Sequence, residues 1–370
     1  MIFPDEMGRY ADLIVELFRG IEEMILQDIA RKIAKAAEMG AAGSLDFNVS
    51  ALMDSGMSLR DIQREIAVLS SQNMEEVASL FERANINSFN RERQLYAVSG
   101  LNLQMTFAKQ QILLQSIRTV GDHILSMTGS LGMLGQPLSV AYQNILNTAF
   151  LQVQSGAVSY NVAIRQSIRA LSDMGLQRVV WQTGHVDNLD VAIRRAVLTS
   201  LQQVSNRISE INADEMGCNG WETSAHSGAR PTHKDWQGRQ FARFPHDTQG
   251  FPLFDAVVGG MMEDFNCRHS KWGIFLGIDA PALTQEELDS IDPPDFEFNG
   301  RIFNAYEATQ MQRKIEREIR RTKREFYMFA EAGSLGDMVH AEDRLKDLNG
   351  LYRIFSRTAG LPLQRDRTRI

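Results

Sequence analysis

Residues 221–238, WETSAHSGARPTHKDWQG, decide how the fold is divided, because the helical spacing of apolar residues stops there. Residues 266–270, NCRHS, have the same kind of composition, with polar residues, Cys and His in place of a helical apolar pattern. All four tryptophans, both cysteines and five of the seven histidines lie between residues 181 and 272. This concentration, in a segment punctuated by Gly and Pro, predicts a compact and irregular α+β module.

The pattern on both sides of this module is helical. Residues 5–40 repeat apolar side chains every three or four positions, which predicts one long amphipathic helix. Residues 305–329 and 335–359 predict two further helices near the C-terminus. Before them, residues 296–303 alternate around Asn299-Gly300, a pair typical of a tight hairpin turn. The predicted fold class is therefore mainly α with a small irregular α+β module, in which long amphipathic helices flank a Trp/His/Cys-rich segment.

These changes between helical and irregular sequence patterns predict three segments. Residues 1–175 form a helical N-terminal domain, and residues 176–279 form the α+β signature module. Residues 280–370 contain the hairpin, the charged helices and a basic tail at 364–370 that is expected to be mobile.

Composition excludes several classes of protein. Two cysteines cannot build a disulfide framework, and no apolar run approaches the roughly 18 residues of a membrane span. We therefore expect no membrane partner. The 370 residues carry a formal net charge of −7, yet residues 313–370 hold 14 Lys/Arg against 9 Asp/Glu. Contact with a polyanion is expected at that end of the chain.

Five side chains of the signature module carry the donor atoms that zinc prefers. They are Cys218, His226, His233, Cys267 and His269. Cys267 and His269 would project to the same side of a strand, because alternate residues of a strand do so. The simpler interpretation is that these side chains only hydrogen-bond the loop backbone, so no cofactor is predicted. The alternative is a metal site, for which zinc is the candidate cofactor.

An enzymatic interpretation of the same region is also open. Acid, base and anion-clamp groups of a hydrolase could come from Glu222, His226, Arg230, His233 and Asp235. No spacing matches a nucleophile elbow, a zincin helix or a Walker loop. The alternative hypothesis is therefore a metal-dependent hydrolase or nuclease, whose site is built from His226, His233, Cys267 and His269.

The first charged C-terminal helix carries a stripe of arginines spaced by three and four residues. They are Arg313, Arg317, Arg320, Arg321 and Arg324. Such a stripe could contact phosphates or an acidic partner, since phosphate contacts need only Lys and Arg. Glutamates are interleaved with the arginines, however, so a solvated, self-paired face is favoured over such a contact.

Four runs of sequence resemble a known family. They are residues 181–199 (WQTGHVDNLDVAIRRAVLT), 224–238 (SAHSGARPTHKDWQG), 266–270 (NCRHS) and 306–324 (YEATQMQRKIEREIRRTKR). In this order and spacing they resemble the tailed-bacteriophage minor capsid protein 2 family over nearly the whole chain. A weaker likeness connects the module to phage head-morphogenesis proteins.

The resemblance implies a low-copy structural protein of the head of a phage or prophage. It places such a protein in the virion at the portal vertex, acting in head assembly and DNA packaging. Its implied partners are the portal protein and the capsid, and it implies no established enzymatic activity or cofactor. Packaged DNA is a further candidate partner because the C-terminal end is basic. The positions it marks as functional or fold-defining are His226, Arg230, His233, Trp236, Gln237, Asn266, Cys267, Arg268 and His269. Trp181, His185 and Asp187 of the first run are predicted to be fold-defining or binding as well.

Overall fold

The computed structural model describes residues 2–44, 47–53, 59–98, 100–133, 136–179, 186–263 and 267–370. Within these ranges the chain is mostly helical, with three small antiparallel sheets. The predicted fold class, mainly α with a small α+β module, is confirmed.

Two helices replace the single one predicted for residues 5–40. They are α1 (Pro4–Glu16) and α2 (Arg19–Ala41). Between them the N–H groups of Leu17 and Phe18 bond to carbonyls three residues back, at 3.2 and 3.1 Å, which is the tighter 3-10 winding. The Asn73 side chain donates to the freed carbonyl of Leu17. The prediction of one helix was therefore wrong, and the break lets each helix direct its own apolar stripe into the core.

Five helices complete the N-terminal region. They are α3 (Val49–Met53), α4 (Leu59–Val98), α5 (Phe107–Gly129), α6 (Leu138–Gln154) and α7 (Tyr160–Met174). Helix α2 packs against α6 and α7, and α4 packs against α5. These pairs bury the apolar stripes that no isolated helix could bury alone.

A four-stranded sheet joins this region to the next long helix. Its strands are β1 (Leu131–Met133), β2 (Gln136–Pro137), β3 (Gln177–Val179) and β4 (Val186–Asn188), in the order β2-β1-β3-β4. Strand β3 ends at Val179, and residues 180–185 lie outside the described ranges. Helix α8 (Leu189–Met216) follows β4 and ends at Gly217, whose φ of 73° suits a left-handed C-cap.

The signature module contains a three-stranded sheet. Its strands are β5 (Gly220–Thr223), β6 (Gln240–Ala242) and β7 (Lys271–Ile274), in the order β6-β5-β7. Between β5 and β7 lie α9 (Pro231–Lys234), α10 (Phe254–Val257) and a 3-10 helix (Gly259–Glu263). All four residues of β5 are buried, so the central strand shows no alternation of polar and apolar residues. This burial explains why the sequence of the module shows no regular strand pattern.

The C-terminal region begins with α11 (Gln285–Asp289) and the hairpin of β8 (Phe296–Phe298) and β9 (Arg301–Phe303). Asn299 and Gly300 have φ values of 51° and 76°, which confirms the predicted turn. Helices α12 (Ala305–Glu331) and α13 (Leu335–Thr358) then pack against each other.

The basic tail is docked on the body of the protein. Residues Arg365–Thr368 form a 3-10 helix, and Thr368 is buried. Arg367 pairs with Asp12 at 3.4 Å and Arg369 pairs with Glu16 at 3.1 Å. The expectation of a mobile tail was wrong because α1 supplies carboxylates that hold the arginines of the tail.

One hydrophobic cluster runs through the three predicted segments. It includes Ile2 of the N-terminal region, Trp221 and Cys267 of the signature module, and Met328 and Ala341 of the C-terminal helices. Helix α12 packs against α2 and α7 as well as against α13. The boundaries at 175 and 279 remain predictions, and the core extends across both.

Candidate functional site

The loop after β5 and the run before β7 lie side by side. The N–H of Ser224 donates to the carbonyl of Ser270 at 2.8 Å, and the N–H of Ser270 donates to the Ser224 hydroxyl at 2.9 Å. These bonds continue the β5–β7 pairing beyond the strands. They bring residues 267–269 next to residues 224–226.

The short helix α9 positions His233 over this junction. Pro231 occupies the first helical turn, where its missing N–H costs nothing. The N–H of His233 donates to the Arg230 carbonyl at 2.8 Å, and the N–H of Gln237 donates to the His233 carbonyl at 3.1 Å. His233 is 2% exposed, so α9 holds its imidazole inside the module.

Three potential metal ligands meet at this point. They are His233, Cys267 and His269, all buried, with donor atoms within 4.8 Å of one another. The Nδ1 atoms of the two histidines are 3.4 Å apart. The Cys267 sulfur lies 3.7 Å from Nδ1 of His269 and 4.0 Å from Nδ1 of His233. We refer to these three residues as the His-Cys-His cluster.

Two of the positions implied by the family resemblance surround the cluster. The Trp236 ring lies 4.9 Å from the His233 ring and 4.7 Å from the His269 ring, measured between centroids. The Gln237 side-chain oxygen accepts the backbone N–H of His226 at 3.1 Å and contacts Nε2 of His269 at 3.1 Å. Both side chains are buried, so they orient the imidazoles.

His226 is adjacent to the cluster without joining it. Its ring stacks on His269 with centroids 4.7 Å apart and an interplanar angle of 28°, and its Nδ1 contacts the Ser227 carbonyl at 2.9 Å. Burial, reinforced by nearby cationic groups, lowers the pKa of His226 to about 4 and the pKa of His269 to about 2. Both imidazoles are therefore neutral at neutral pH, which is the form that binds metals.

Cys218 lies elsewhere and is removed from the predicted ligand set. Its thiol contacts the Tyr96 hydroxyl at 3.8 Å, and burial raises its pKa to about 11. It follows the left-handed end of α8, so its side chain packs against α4 rather than against α9. The prediction that both cysteines belong to one site was wrong because tertiary packing separates them.

The proposed catalytic set is also divided. Glu222 is buried, and its two carboxylate oxygens accept the Ala282 N–H at 2.6 Å and the Gln240 amide at 3.2 Å. Asp235 is exposed at the end of α9. His226, Arg230 and His233 instead line a cavity together. Glu222 thus secures loop backbone rather than facing the imidazoles.

The cavity lies between α1, α8, α12 and the signature loops, and its volume is about 390 Å³. Its wall includes eight arginines: Arg19, Arg194, Arg230, Arg268, Arg313, Arg317, Arg320 and Arg367. Three carboxylates face them, from Asp12, Asp190 and Glu316. We call this space the arginine cavity. The His-Cys-His cluster forms part of its wall.

The predicted arginine stripe is split by the packing of α12. Arg313, Arg317 and Arg320 line the arginine cavity, and Arg320 pairs with Asp190. Arg324 is buried and pairs with Glu22 of α2 at 3.1 Å. Arg321 pairs with carboxylates, including Glu325 at 3.2 Å. The two ends of the stripe therefore face different neighbours, because α2 and α7 cover one flank of α12.

Positive charge in the arginine cavity exceeds negative charge. Burial and the neighbouring Arg367 lower the pKa of Arg194 to about 9 and the pKa of Arg313 to about 10. The same two causes lower the pKa of Arg268. Like charges held close in a partly buried space repel one another. An anion would relieve this repulsion.

Several cavity residues had no signal of their own in the sequence. Asp12 belongs to α1, Arg194 to α8 and Arg367 to the tail, and none was singled out as a site residue. Arg194 lies within a run that resembles the family, and Arg367 lies within the basic tail, so both signals were indirect. Only the pairing of Asp12 with Arg194 and Arg367 reveals that these segments meet.

Some predicted positions lie outside the described residues. Trp181, His185 and Asn266 are among them, and for Asp187 only the backbone, in β4, is described. The roles assigned to these four residues remain predictions. Arg268, by contrast, is described and lines the arginine cavity.

Within the described ranges, each helix is too short or too polar to cross a membrane. Comparison with curated proteins and with solved structures found no match. Comparison with protein families found the family described as phage minor capsid protein 2, which matches residues 2–355. That match covers the N-terminal helical region, the signature module and every residue that lines the arginine cavity except Arg367. The chain therefore belongs to the phage minor capsid protein 2 family.

Proposed function

We propose that this chain is a structural protein of the virion that acts at the portal vertex in head assembly and DNA packaging. The observation that carries the proposal is the family match over residues 2–355. Membership of a structural capsid family supports a non-enzymatic role, with the portal protein and the capsid as partners. The signature module then serves as a rigid docking piece between helical arms.

The packing of the described residues supports this role. The central strand β5 is fully buried. The Arg320–Asp190 ion pair joins α12 to helix α8 of the module, and the Arg367–Asp12 ion pair holds the tail against α1. A module held from several directions presents a fixed surface to a partner, which lowers the entropic cost of binding. A portal-associated protein needs such a surface because its position in the head is fixed.

The experiment is to locate the protein in purified particles of the phage or induced prophage that encodes it. Quantitative mass spectrometry should find the chain at low copy relative to the major capsid protein. Immunogold labelling should place it at the single vertex that holds the portal. Particles assembled from a portal deletion should lose the chain while retaining the major capsid protein. Absence from particles, or labelling at every vertex, would overturn the proposal.

We further propose that the arginine cavity contacts the phosphates of packaged DNA. The specific observation is the excess of arginines over carboxylates in its wall. Of the predicted stripe, Arg313 and Arg317 serve this contact. Arg321 and Arg324 are left out because their charges are used in ion pairs within the chain, and Arg320 is paired with Asp190.

A further inference from the structure

The distances within the His-Cys-His cluster match the edges of a zinc coordination tetrahedron. With Zn–N bonds of about 2.0–2.1 Å and a Zn–S bond of about 2.3 Å, tetrahedral ligands lie about 3.4 Å apart for N···N and about 3.6 Å apart for N···S. The cluster shows 3.4 Å between the two Nδ1 atoms and 3.7 and 4.0 Å from sulfur to nitrogen. An ion could occupy the centre with only small movements of the side chains.

The hydrogen bonds around His269 identify the nitrogen that is available to an ion. A backbone N–H can only donate, so the Gln237 atom that receives the His226 N–H must be the amide oxygen. The same oxygen lies 3.1 Å from Nε2 of His269, which must therefore carry the proton. Nδ1 of His269 then directs its lone pair toward Cys267 and His233. This arrangement, with one ring nitrogen held by an acceptor and the other free to ligate, is typical of metal-binding histidines.

Burial and ligand type favour zinc over other divalent ions. His233, Cys267 and His269 are 2%, 2% and 1% exposed, respectively. Two imidazole nitrogens and one thiolate suit zinc, whereas calcium and magnesium require oxygen ligands. The ligands come from α9 and from the run before β7, so an ion would join these two segments directly.

We propose that His233, Cys267 and His269 bind one zinc ion, with a fourth coordination position facing the arginine cavity. His226 does not fill this position, because its ring lies stacked against His269. A water molecule or an anionic group in the cavity would complete the tetrahedron. The inference does not depend on the role proposed for the chain in the phage head.

The first test uses the full chain without an affinity tag, because tag histidines bind metal. Elemental mass spectrometry should find about one zinc per chain, since each chain supplies one three-ligand cluster. After treatment with a chelator, reconstitution with cobalt should give a thiolate-to-cobalt charge-transfer band and the visible bands of tetrahedral cobalt. Folded wild-type protein that neither retains zinc nor takes up cobalt would overturn the proposal.

The two cysteines offer a matched pair of variants. Cys267→Ser should abolish the charge-transfer band, whereas Cys218→Ser should keep it, because both thiols are buried but only Cys267 lies in the cluster. Gln237→Met removes the acceptor of the His269 proton while preserving volume. It should weaken zinc binding by about 10–100-fold in competition with a chelator. A band that persists in Cys267→Ser, or that vanishes in Cys218→Ser, would contradict the assignment.

Two experiments on wild-type protein test the site even if Cys267→Ser fails to fold. Zinc should raise the melting temperature of the chelator-treated chain, because an ion that binds only the folded state stabilises it. Alkylation followed by peptide mass spectrometry should show that removal of zinc accelerates the modification of Cys267 and leaves the rate for Cys218 unchanged. Equal acceleration at both cysteines, or no effect of zinc on melting, would count against the site.

Discussion

The Nδ1 atoms of His233 and His269 lie 3.4 Å apart although the two residues are 36 positions apart in the chain. The pairing of β5 with β7 creates this proximity, and the Ser224–Ser270 hydrogen bonds extend it to the loop. The Gln237 side chain then fixes the His269 ring. The two histidines are thus part of one structural unit.

Arg324 is expected to be structural, whereas Arg317 is not. The Arg324 and Glu22 side chains are 4% and 15% exposed, and they pair at 3.1 Å. Arg324→Ala leaves the Glu22 carboxylate in a poorly solvated position. It should lower the free energy of unfolding by about 3–5 kcal/mol.

The matched control for that variant is Arg317→Ala on the same helix. Arg317 is exposed, so its loss should change the free energy of unfolding by no more than about 0.5 kcal/mol. Urea unfolding followed by circular dichroism measures both variants. Similar losses for the two would contradict the division of the arginine stripe.

Gly175 is expected to be irreplaceable because it lies against the Arg324–Glu22 ion pair. Its φ of 65° and ψ of −164° are values that essentially only glycine adopts. A Cβ there would lie 2.5 Å from a Glu22 carboxylate oxygen and 2.7 Å from Cζ of Arg324. Gly175→Ala should therefore destabilise the fold by strain and by displacement of the ion pair.

Gly156 measures the cost of a positive φ where no atom is close. It also has a positive φ, of 70°, but a Cβ there would meet no atom within 4 Å. Gly156→Ala should cost about 1 kcal/mol from backbone strain alone, and Gly175→Ala should cost at least about 1 kcal/mol more. Thermal unfolding of both variants measures the two costs. An equal cost would mean that neither the ψ of −164° nor the Glu22–Arg324 ion pair adds to the strain of a positive φ.

The contribution of Glu222 to stability should decrease as the pH rises. Burial raises the pKa of its carboxyl above the usual 4.5, so the folded state binds more protons than the unfolded state just above that value. The free energy of unfolding then falls as the pH rises through this window. Glu222→Gln cannot titrate, so its stability relative to wild type should improve between about pH 4.5 and pH 7.

Glu287 provides the control of opposite sign. Hydrogen bonds from the backbone and side chain of Thr284 lower the pKa of Glu287. Its contribution is therefore present above the unfolded pKa and is lost as the pH falls through the folded pKa. Relative to wild type, Glu287→Gln should therefore become less stable as the pH rises toward the unfolded value of 4.5, and the difference should be constant above it. Urea unfolding at several pH values measures both trends, and trends of the same sign would refute the explanation.

DNA binding by the arginine cavity should depend on Arg313. Arg313 lies in the cavity wall, where burial and Arg367 lower its pKa. Arg313→Gln should weaken binding to double-stranded DNA without sequence preference. It should also reduce the slope of log affinity against log salt by about 1. Fluorescence anisotropy at several salt concentrations gives both quantities.

Arg357 is the control for that experiment. It is an exposed arginine on α13 and does not line the arginine cavity, so Arg357→Gln should leave the salt slope unchanged. If the two variants behaved alike, phosphate contact would not be located in the cavity. If binding by wild-type protein did not weaken as salt rises, phosphate contact itself would be excluded.

Local signals in the sequence predicted individual elements well. The Asn299-Gly300 turn forms as expected because both residues tolerate positive φ. Helix α12 (Ala305–Glu331) forms where residues 305–329 predict a helix, and it begins with a capping box between Asn304 and Glu307. These features depend on atoms close in the chain, so the residue pattern contains the required information.

Long-range packing decided what the pattern could not. At the break, Asn73 donates to the Leu17 carbonyl; in the tail, Arg367 pairs with Asp12; and the Cys218 thiol contacts the Tyr96 hydroxyl. Each partner is distant in sequence, so the spacing of apolar residues could not predict the contact. All three predictions were wrong for this reason.

The sequence alone determined the mainly helical class, the irregular module, the hairpin and the resemblance to a capsid family, since these follow from neighbouring residues or from ordered runs of them. Only the tertiary structure decided which side chains meet. It placed Cys267 beside two histidines, left Cys218 beside Tyr96, and divided the arginines of α12 between a cavity and buried ion pairs. The physical reason is that helical periodicity states which residues share a face, whereas the neighbour that covers each face is set by the packing of the whole chain.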